Sequence, residues 1–206
     1  MIGKRAAIIL AGGRSSRMGE NKALMMLNEK TMLEHIVGAI RKITGGIVLV
    51  IGFDQDVNAE ALISKNIPII KDILDVKSPL IGILTGTKFL SAEYVSVHPC
   101  DTPLIEPSLM GYLFKRAEGH DAAIAITKDG RLQPLNSVYK SSAVHRACDE
   151  SLSRGETKCK QMIQHLEDVV YVKEDELTRF DPLLRTYMNI NTRQEFQELR
   201  LMLGKA

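Results

Sequence analysis

The sequence has little of what marks several common protein classes. Its formal net charge is only +2 over 206 residues, from 27 basic and 25 acidic side chains, and Lys and Arg are spread along the chain. A surface built for nucleic acid or an anionic membrane shows a strong basic excess or a dense basic run, so neither partner is expected. The three cysteines, Cys100, Cys148 and Cys159, are odd in number and unclustered, which argues against both a disulfide framework and a zinc site. No apolar run approaches the ~18 residues that a membrane helix needs. The basic start, Met1-Ile2-Gly3-Lys4-Arg5, leads through a short apolar run into Gly-Gly-Arg with no cleavage-like site at the right distance, unlike a signal peptide. A cytoplasmic protein is expected.

What is present suits one compact soluble domain. With 45% hydrophobic and 25% charged residues, the chain can bury a real core in one domain spanning 1–206. Near its start an uncharged apolar run, Ala6 to Leu10, stops at Ala11-Gly12-Gly13, followed by Arg14, Ser15, Ser16, Arg17, Gly19 and Lys22. The run has the length and uniform apolarity of a strand buried on both faces. Glycines directly after it let the backbone approach a ligand with no Cβ in the way, and exposed amides there can cradle anionic oxygens. Arg14, Arg17 and Lys22 add fixed positive charge suited to phosphate. The loop matches neither G-x-x-x-x-G-K-[ST] nor G-x-G-x-x-G, so it is a phosphate seat of another kind.

The rest of the chain alternates. Thr31 with Glu34 forms a capping box before a helical apolar face of Met32, Leu33, Ile36, Val37, Ile40 and Ile43. Strands are predicted over Ile47–Ile51, over Ile67–Ile70, where Pro68 favours a strand start or sheet edge, and over Tyr94–His98. Helices are predicted around 57–65, from Ser78-Pro79 through Leu90, and from Pro107 onward. This order implies a parallel sheet with right-handed crossovers and helices on both faces. Ligands bind beyond the carboxyl ends of such strands, where Gly12-Gly13, Asp72 and Asp101 converge. Further on, 121–127 and 132–139 read as a hairpin around Asp129-Gly130. Helices follow over 141–152 and 158–166, then a strand over 168–172 and a last helix capped by Thr192 and Glu195.

Taken singly, several residues have ordinary readings. Asp101, after a buried strand and before a Pro-rich turn, suits a turn and a metal carboxylate equally. One carboxylate is enough for Mg²⁺, which keeps waters and shares substrate phosphates. Asp72 alone reads as a loop residue, and Asn189 and Asn191 as turn and strand-end residues. His98 reads as a satisfied core histidine, and Cys100, with no general-base partner identifiable, as structural.

The stretch from Leu10 to Lys22 resembles the nucleotidyltransferase signature L-A-G-G-x-S-x-R-M-G-x-x-K, and more closely that of the MobA-type molybdenum cofactor guanylyltransferases. Four more segments carry the likeness in order: Asp72, Pro79-Leu80-Ile81-Gly82, Pro99-Cys100-Asp101-Thr102-Pro103 and Asn189-Ile190-Asn191-Thr192. The resemblance implies a three-layer α/β sandwich, a Rossmann-like, mostly parallel sheet of the nucleotide-diphospho-sugar-transferase type, with a nucleotide half of about 1–110 and an acceptor half of about 111–206. It implies Mg²⁺-dependent transfer of GMP from GTP to molybdopterin, with Leu10, Ala11, Gly12 and Gly13 on the nucleotide and Arg17 and Lys22 on its phosphates. Asp72 and Gly82 would lie near base and ribose, Asp101 on Mg²⁺, and Asn189 and Asn191, with Gln133, toward the pterin. Transient contact with cofactor-delivering proteins or molybdoenzymes is implied as well. CTP as donor, and cobinamide phosphate, phospholactate or a sugar phosphate as acceptor, remain open alternatives, as does a non-catalytic nucleotide-binding protein. Two departures from the family pattern are Asn21, where Asp is common, and Ile51-Gly52, where some members have Asn.

Overall fold

The computed structural model describes residues 3–12, 22–55 and 67–203. Gly13, Arg14, Arg17, Gly19 and Asn21, and the helix predicted around 57–65, lie outside the described residues. Strand β1 (Gly3–Leu10) is followed by a 3-10 turn at Lys22–Leu24 and a small hairpin of β2 (Met26–Leu27) and β3 (Lys30–Thr31). Helix α1 (Met32–Ile40) begins in the expected capping box, with the Glu34 amide 3.1 Å from the Thr31 hydroxyl and the Glu34 carboxylate accepting from the Thr31 amide at 2.7 Å. Next come β4 (Gly46–Ile51), β5 (Ile69–Lys71), α2 (Pro79–Phe89), β6 (Ala92–Pro99) and α3 (Pro107–Ala117). The chain closes with β7 (Ala122–Ile126), β8 (Leu132–Lys140), α4 (Ser141–Ser153), α5 (Cys159–Ile163), β9 (Val169–Lys173), α6 (Glu174–Leu177) and α7 (Arg193–Leu203).

Seven strands form one sheet in the order β5-β4-β1-β6-β8-β7-β9. All neighbours pair in parallel except β8, which is antiparallel to both β6 and β7. The predicted hairpin is therefore present, and its second strand is the one reversed strand. Alternate residues of β1 enter opposite layers. Ala7 and Ile9 pack with α1 and α3, whereas Ala6 and Ile8 pack with α2, α4 and α5. Burial on both faces is why β1 and β4 carry unbroken apolar runs. The three-layer, mostly parallel arrangement is the expected one.

Several boundaries differ from expectation: β1 begins at Gly3 rather than Ala6, and α1 ends at Ile40, leaving Ile43 beyond it. The third strand begins at Ile69 rather than Ile67, because Pro68 has no N–H to give the ladder and contributes only its carbonyl, to the Leu49 amide at 2.9 Å. The helix expected over 158–166 is only Cys159–Ile163. Beyond it Gln164, His165 and Leu166 each bond back three residues, tightening the chain into a turn.

Candidate active site

A cavity of about 480 Å³ opens at the carboxyl edge of the parallel strands. Leu10 and Gly12 line it after β1, Gly52 after β4, Asp72 after β5, and Asp101 after β6, with Gly82 contributed by the first turns of α2. The convergence expected of a parallel sheet is therefore realised for Gly12, Asp72 and Asp101.

One wall depends on missing side chains. A Cβ on Gly12 would stand 3.1 Å from the Gly52 nitrogen and 3.3 Å from Asp72 Oδ2. Reciprocally, a Cβ on Gly52 would meet the Gly12 carbonyl at 3.2 Å. The ends of β1 and β4 thus approach through two bare backbones, with the Asp72 carboxylate beside them. Gly82 plays the same part from below, since a Cβ there would fall 2.6 Å from a Leu10 methyl and 3.6 Å from Asp72 Oδ1. Ala11 is buried behind this wall, its amide bonded to the Val50 carbonyl at 2.8 Å.

Asp72 is anchored by its own amide, which donates to the Ile51 carbonyl at 2.8 Å. Its Oδ1 is buried without a hydrogen-bond partner among the described residues, and burial pushes its pKa up to about 6. A buried acceptor with no donor is costly in isolation. It is what a site keeps for a ligand's N–H or O–H.

The opposite wall, where Asp101 lines the cavity, is backed by distant parts of the chain, Lys22, Ile190 and Asn191, that do not themselves line it. The Asp101 carbonyl accepts from the Ile190 amide at 2.8 Å, which lays the 188–191 segment along the end of β6. One residue further, Asn191 Oδ1 accepts from Lys22 Nζ at 3.1 Å. Glu195 fixes this segment by accepting from the Asn191 and Thr192 amides at 2.6 and 2.9 Å, completing the expected cap of α7 with the Thr192 hydroxyl. Burial raises the Asp101 pKa, and the Lys22 ammonium pulls against it. Cys100 lines the cavity, but burial pushes its thiol up to about 12. His98 is wholly buried and hydrogen-bonded at both ring nitrogens.

The remaining expected positions are less central. Asn189 is exposed next to the Ile190 anchor. Gln133 sits on the part of β8 that has passed the end of β6 and pairs with β7 alone. It is not among the residues lining the cavity, whereas Leu135 is. Gly13 and Arg17 lie outside the described residues.

Sequence reasoning missed the outer part of the cavity, formed by Phe53, Gln55, Leu74, Val76 and Ser78. Phe53 and Leu74 stay 49% and 48% exposed, so the mouth has an apolar rim. Their signal was available as isolated large apolar residues inside otherwise polar loops. Gln55 folds back so that its Oε1 accepts from the Gly52 amide at 3.0 Å.

A MobA-like NTP transferase domain matches residues 7–169. A probable molybdenum cofactor guanylyltransferase of Methanosarcina mazei is 32% identical over 208 residues, covering 98% of this chain and 91% of the relative. One from Bacillus cytotoxicus is 32% identical, covering 94% and 95%. Among solved structures, molybdopterin-guanine dinucleotide biosynthesis protein A from Archaeoglobus fulgidus superposes with a TM-score of 0.82 at 25% identity, over 98% of this chain and all of that one. The 2-C-methyl-D-erythritol 4-phosphate cytidylyltransferase of Thermus thermophilus shares the fold with a TM-score of 0.69 at 13% identity, over 99% and 100% of the two chains. A sheet-edge cavity walled by glycines and flanked by a lysine and a carboxylate accords with these matches, and the chain belongs to the MobA-like NTP transferase family of nucleotidyltransferases.

Proposed function

We propose that this protein transfers GMP from GTP to the terminal phosphate of molybdopterin, giving the guanine dinucleotide form of the molybdenum cofactor and pyrophosphate. The observation that carries the reading is the pairing of the two walls. A glycine-walled cavity with an orphaned carboxylate oxygen faces a lysine held beside Asp101 by the acceptor-side residue Asn191. The likeness of the whole chain to relatives named for this activity supports the acceptor. The same pairing supports one nucleotidyltransferase domain, with a nucleotide half of about 1–110 and an acceptor half of about 111–206.

Guanine presents neighbouring N1–H and N2–H donors, and Asp72 offers the unpartnered acceptor beside Gly12 and Gly82. This favours GTP over CTP, whose base has a single exocyclic amine. The attacking phosphate of molybdopterin is already anionic at neutral pH, so no general base is required. Catalysis then comes from alignment and from neutralising charge. Lys22, with Arg17 from the signature loop, holds the departing pyrophosphate. Asn191 fixes the Lys22 ammonium while Asn189, beside it, faces the pterin side with Gln133 further out.

The residues fit Mg²⁺. Asp101 is one half-buried carboxylate, and no group of three or more His, Cys, Asp or Glu able to hold a metal occurs among the described residues. A donor set of one carboxylate completed by phosphate oxygens and water is what Mg²⁺ accepts. Asp101 would hold the ion, which when bound supplies charge neutralisation on the phosphate oxygens. Calorimetry with GTP, CTP, ATP and UTP in the presence of Mg²⁺ tests the base assignment. GTP is expected to bind most tightly, and equal affinity for CTP would contradict it.

A further inference from the structure

Behind the Asp101 loop lies a buried polar network that the proposed mechanism does not use. Asn136, in the middle of β8, is 1% exposed and has a left-handed backbone, φ 58°, a conformation uncommon outside glycine and tolerated best by Asn and Asp. Its amide lies between three elements. Asn136 Nδ2 donates to the Thr102 hydroxyl at 3.0 Å and to the Thr186 carbonyl at 2.8 Å, while Oδ1 lies 2.7 Å from His98 Nδ1.

The roles in this network are fixed by chemistry. The Thr186 carbonyl can only accept, so the NH₂ group must face it and Oδ1 must face His98. The His98 proton then sits on Nδ1, and Nε2 accepts from the Ser96 hydroxyl at 2.8 Å. Burial holds this ring neutral, with a pKa lowered to about 4. Every donor and acceptor of the Asn136 amide is satisfied, which rigidifies a buried network rather than leaving it costly.

Thr102 directly follows Asp101. Thr186 opens the segment that reaches Ile190, whose amide bonds back to the Asp101 carbonyl, and then Asn191, which holds Lys22. Thr186 is also tied to the loop after Asp101, its hydroxyl accepting from the Glu106 amide at 3.0 Å, and its own amide donates to the Asp181 carboxylate at 2.8 Å. A single side chain therefore clamps the loop carrying the metal-site carboxylate to the strap carrying the acceptor-side residues. We infer that Asn136 is a positioning residue that sets the register between the Asp101 loop and the 186–191 strap, and through it the alignment of nucleotide and acceptor. The inference rests on the proposed transfer reaction only for its activity arm.

The test uses Asn136→Asp, which keeps the shape, the tolerance of positive φ and an oxygen toward His98, and removes the donor to Thr102 and Thr186. Amide hydrogen exchange is measured residue by residue, together with turnover at saturating GTP, Mg²⁺ and molybdopterin. Faster exchange is expected at the Ile190 and Glu106 amides with β1 and β4 unchanged, and turnover is expected to fall about 10- to 100-fold, the range for a residue supporting a metal ligand. GTP binding without Mg²⁺, which does not call on Asp101, is expected to stay at the wild-type level. Unchanged exchange at Ile190 and Glu106, equal loosening of the whole sheet, or local loosening with unchanged turnover would each overturn the inference.

Thr102→Val, which deletes only the hydroxyl that Asn136 reaches, takes the place of Asn136→Asp if that variant does not fold. Failure of both to fold would make the network a stability element and overturn the positioning role. A wild-type protein that transfers nothing to molybdopterin would defeat the function reading instead, and the exchange pattern alone would then decide the role of Asn136.

Discussion

Lys22 and Asn191 are 169 positions apart in the chain, and the lysine Nζ donates to the asparagine Oδ1 over 3.1 Å. The bond ties the residues that follow the first strand's loop to the segment before the last helix, beside the candidate site. Asn191→Ala removes this acceptor from the Lys22 ammonium, so turnover is expected to drop about tenfold with the fold intact. Lys22→Ala removes the charge itself and is expected to cost on the order of 10²-fold or more. The double variant should be no worse than Lys22→Ala, because both changes act on one interaction. Steady-state kinetics of the three proteins checks this.

Asp72 separates stability from function. Its pKa is about 6 in the fold against an ordinary 3.8. The folded state therefore binds more protons than the unfolded one between those values, and stability falls as pH rises from about 4 to about 6. Asp72→Asn removes this cost at neutral pH and is expected to raise Tm by about 2–4 °C at pH 7.5, the shift for each kcal/mol in a chain of this size. That gain should shrink as pH is lowered through 6 toward 4. The same change removes the acceptor proposed for the base, so GTP binding is expected to weaken although the protein is more stable. Thermal scans across pH and calorimetry read the two effects.

Gly12→Ala tests the bare-backbone wall. The added Cβ would press on the Gly52 nitrogen at 3.1 Å and on Asp72 at 3.3 Å, and backbone yields less readily than a side chain. The KM for GTP is expected to rise about tenfold or more, corresponding to roughly 1–3 kcal/mol of overpacking. Crystals of the variant should show β1 and β4 parted at their ends.

Cys100 sits at the cavity and next to Asp101, yet burial pushes its thiol up to about 12, which keeps it protonated near neutrality. Cys100→Ala is expected to keep close to full transfer activity, and iodoacetamide at pH 8 should label Cys100 slowly. Rapid labelling with loss of activity would show a reactive thiol.

The frame of the molecule was legible where local chemistry decides it. Ile47–Ile51 is an unbroken apolar run because both its faces are buried. The caps at Thr31, Ser78 and Thr192 could be read because each satisfies orphan amides within a few residues. Gly12, Asp72 and Asp101 were legible as converging because strand ends of a parallel sheet share an edge, and Gly82, inside α2, only through the family resemblance. What depends on distant partners was not. Asn136 reads as one polar residue in a strand, and only the meeting of β6, β8 and the 186 segment turns it into a junction. The β2–β3 hairpin, two residues a side around Asn28 at φ 58°, is too short to show a period. Gly52 looked like a departure from the family pattern, and its role appears only against the Gly12 carbonyl.

Nucleotidyl transfer at this site is tested most directly by following the α-phosphate. GTP labelled at the α-phosphate is incubated with the protein, Mg²⁺ and molybdopterin, and both labelled product and pyrophosphate are followed. Label is expected on molybdopterin with one pyrophosphate released per transfer, and nearly all turnover is expected to be lost in a folded Asp101→Asn protein. GTP binding without pyrophosphate release in the presence of molybdopterin, or undiminished turnover in Asp101→Asn, would contradict this reading.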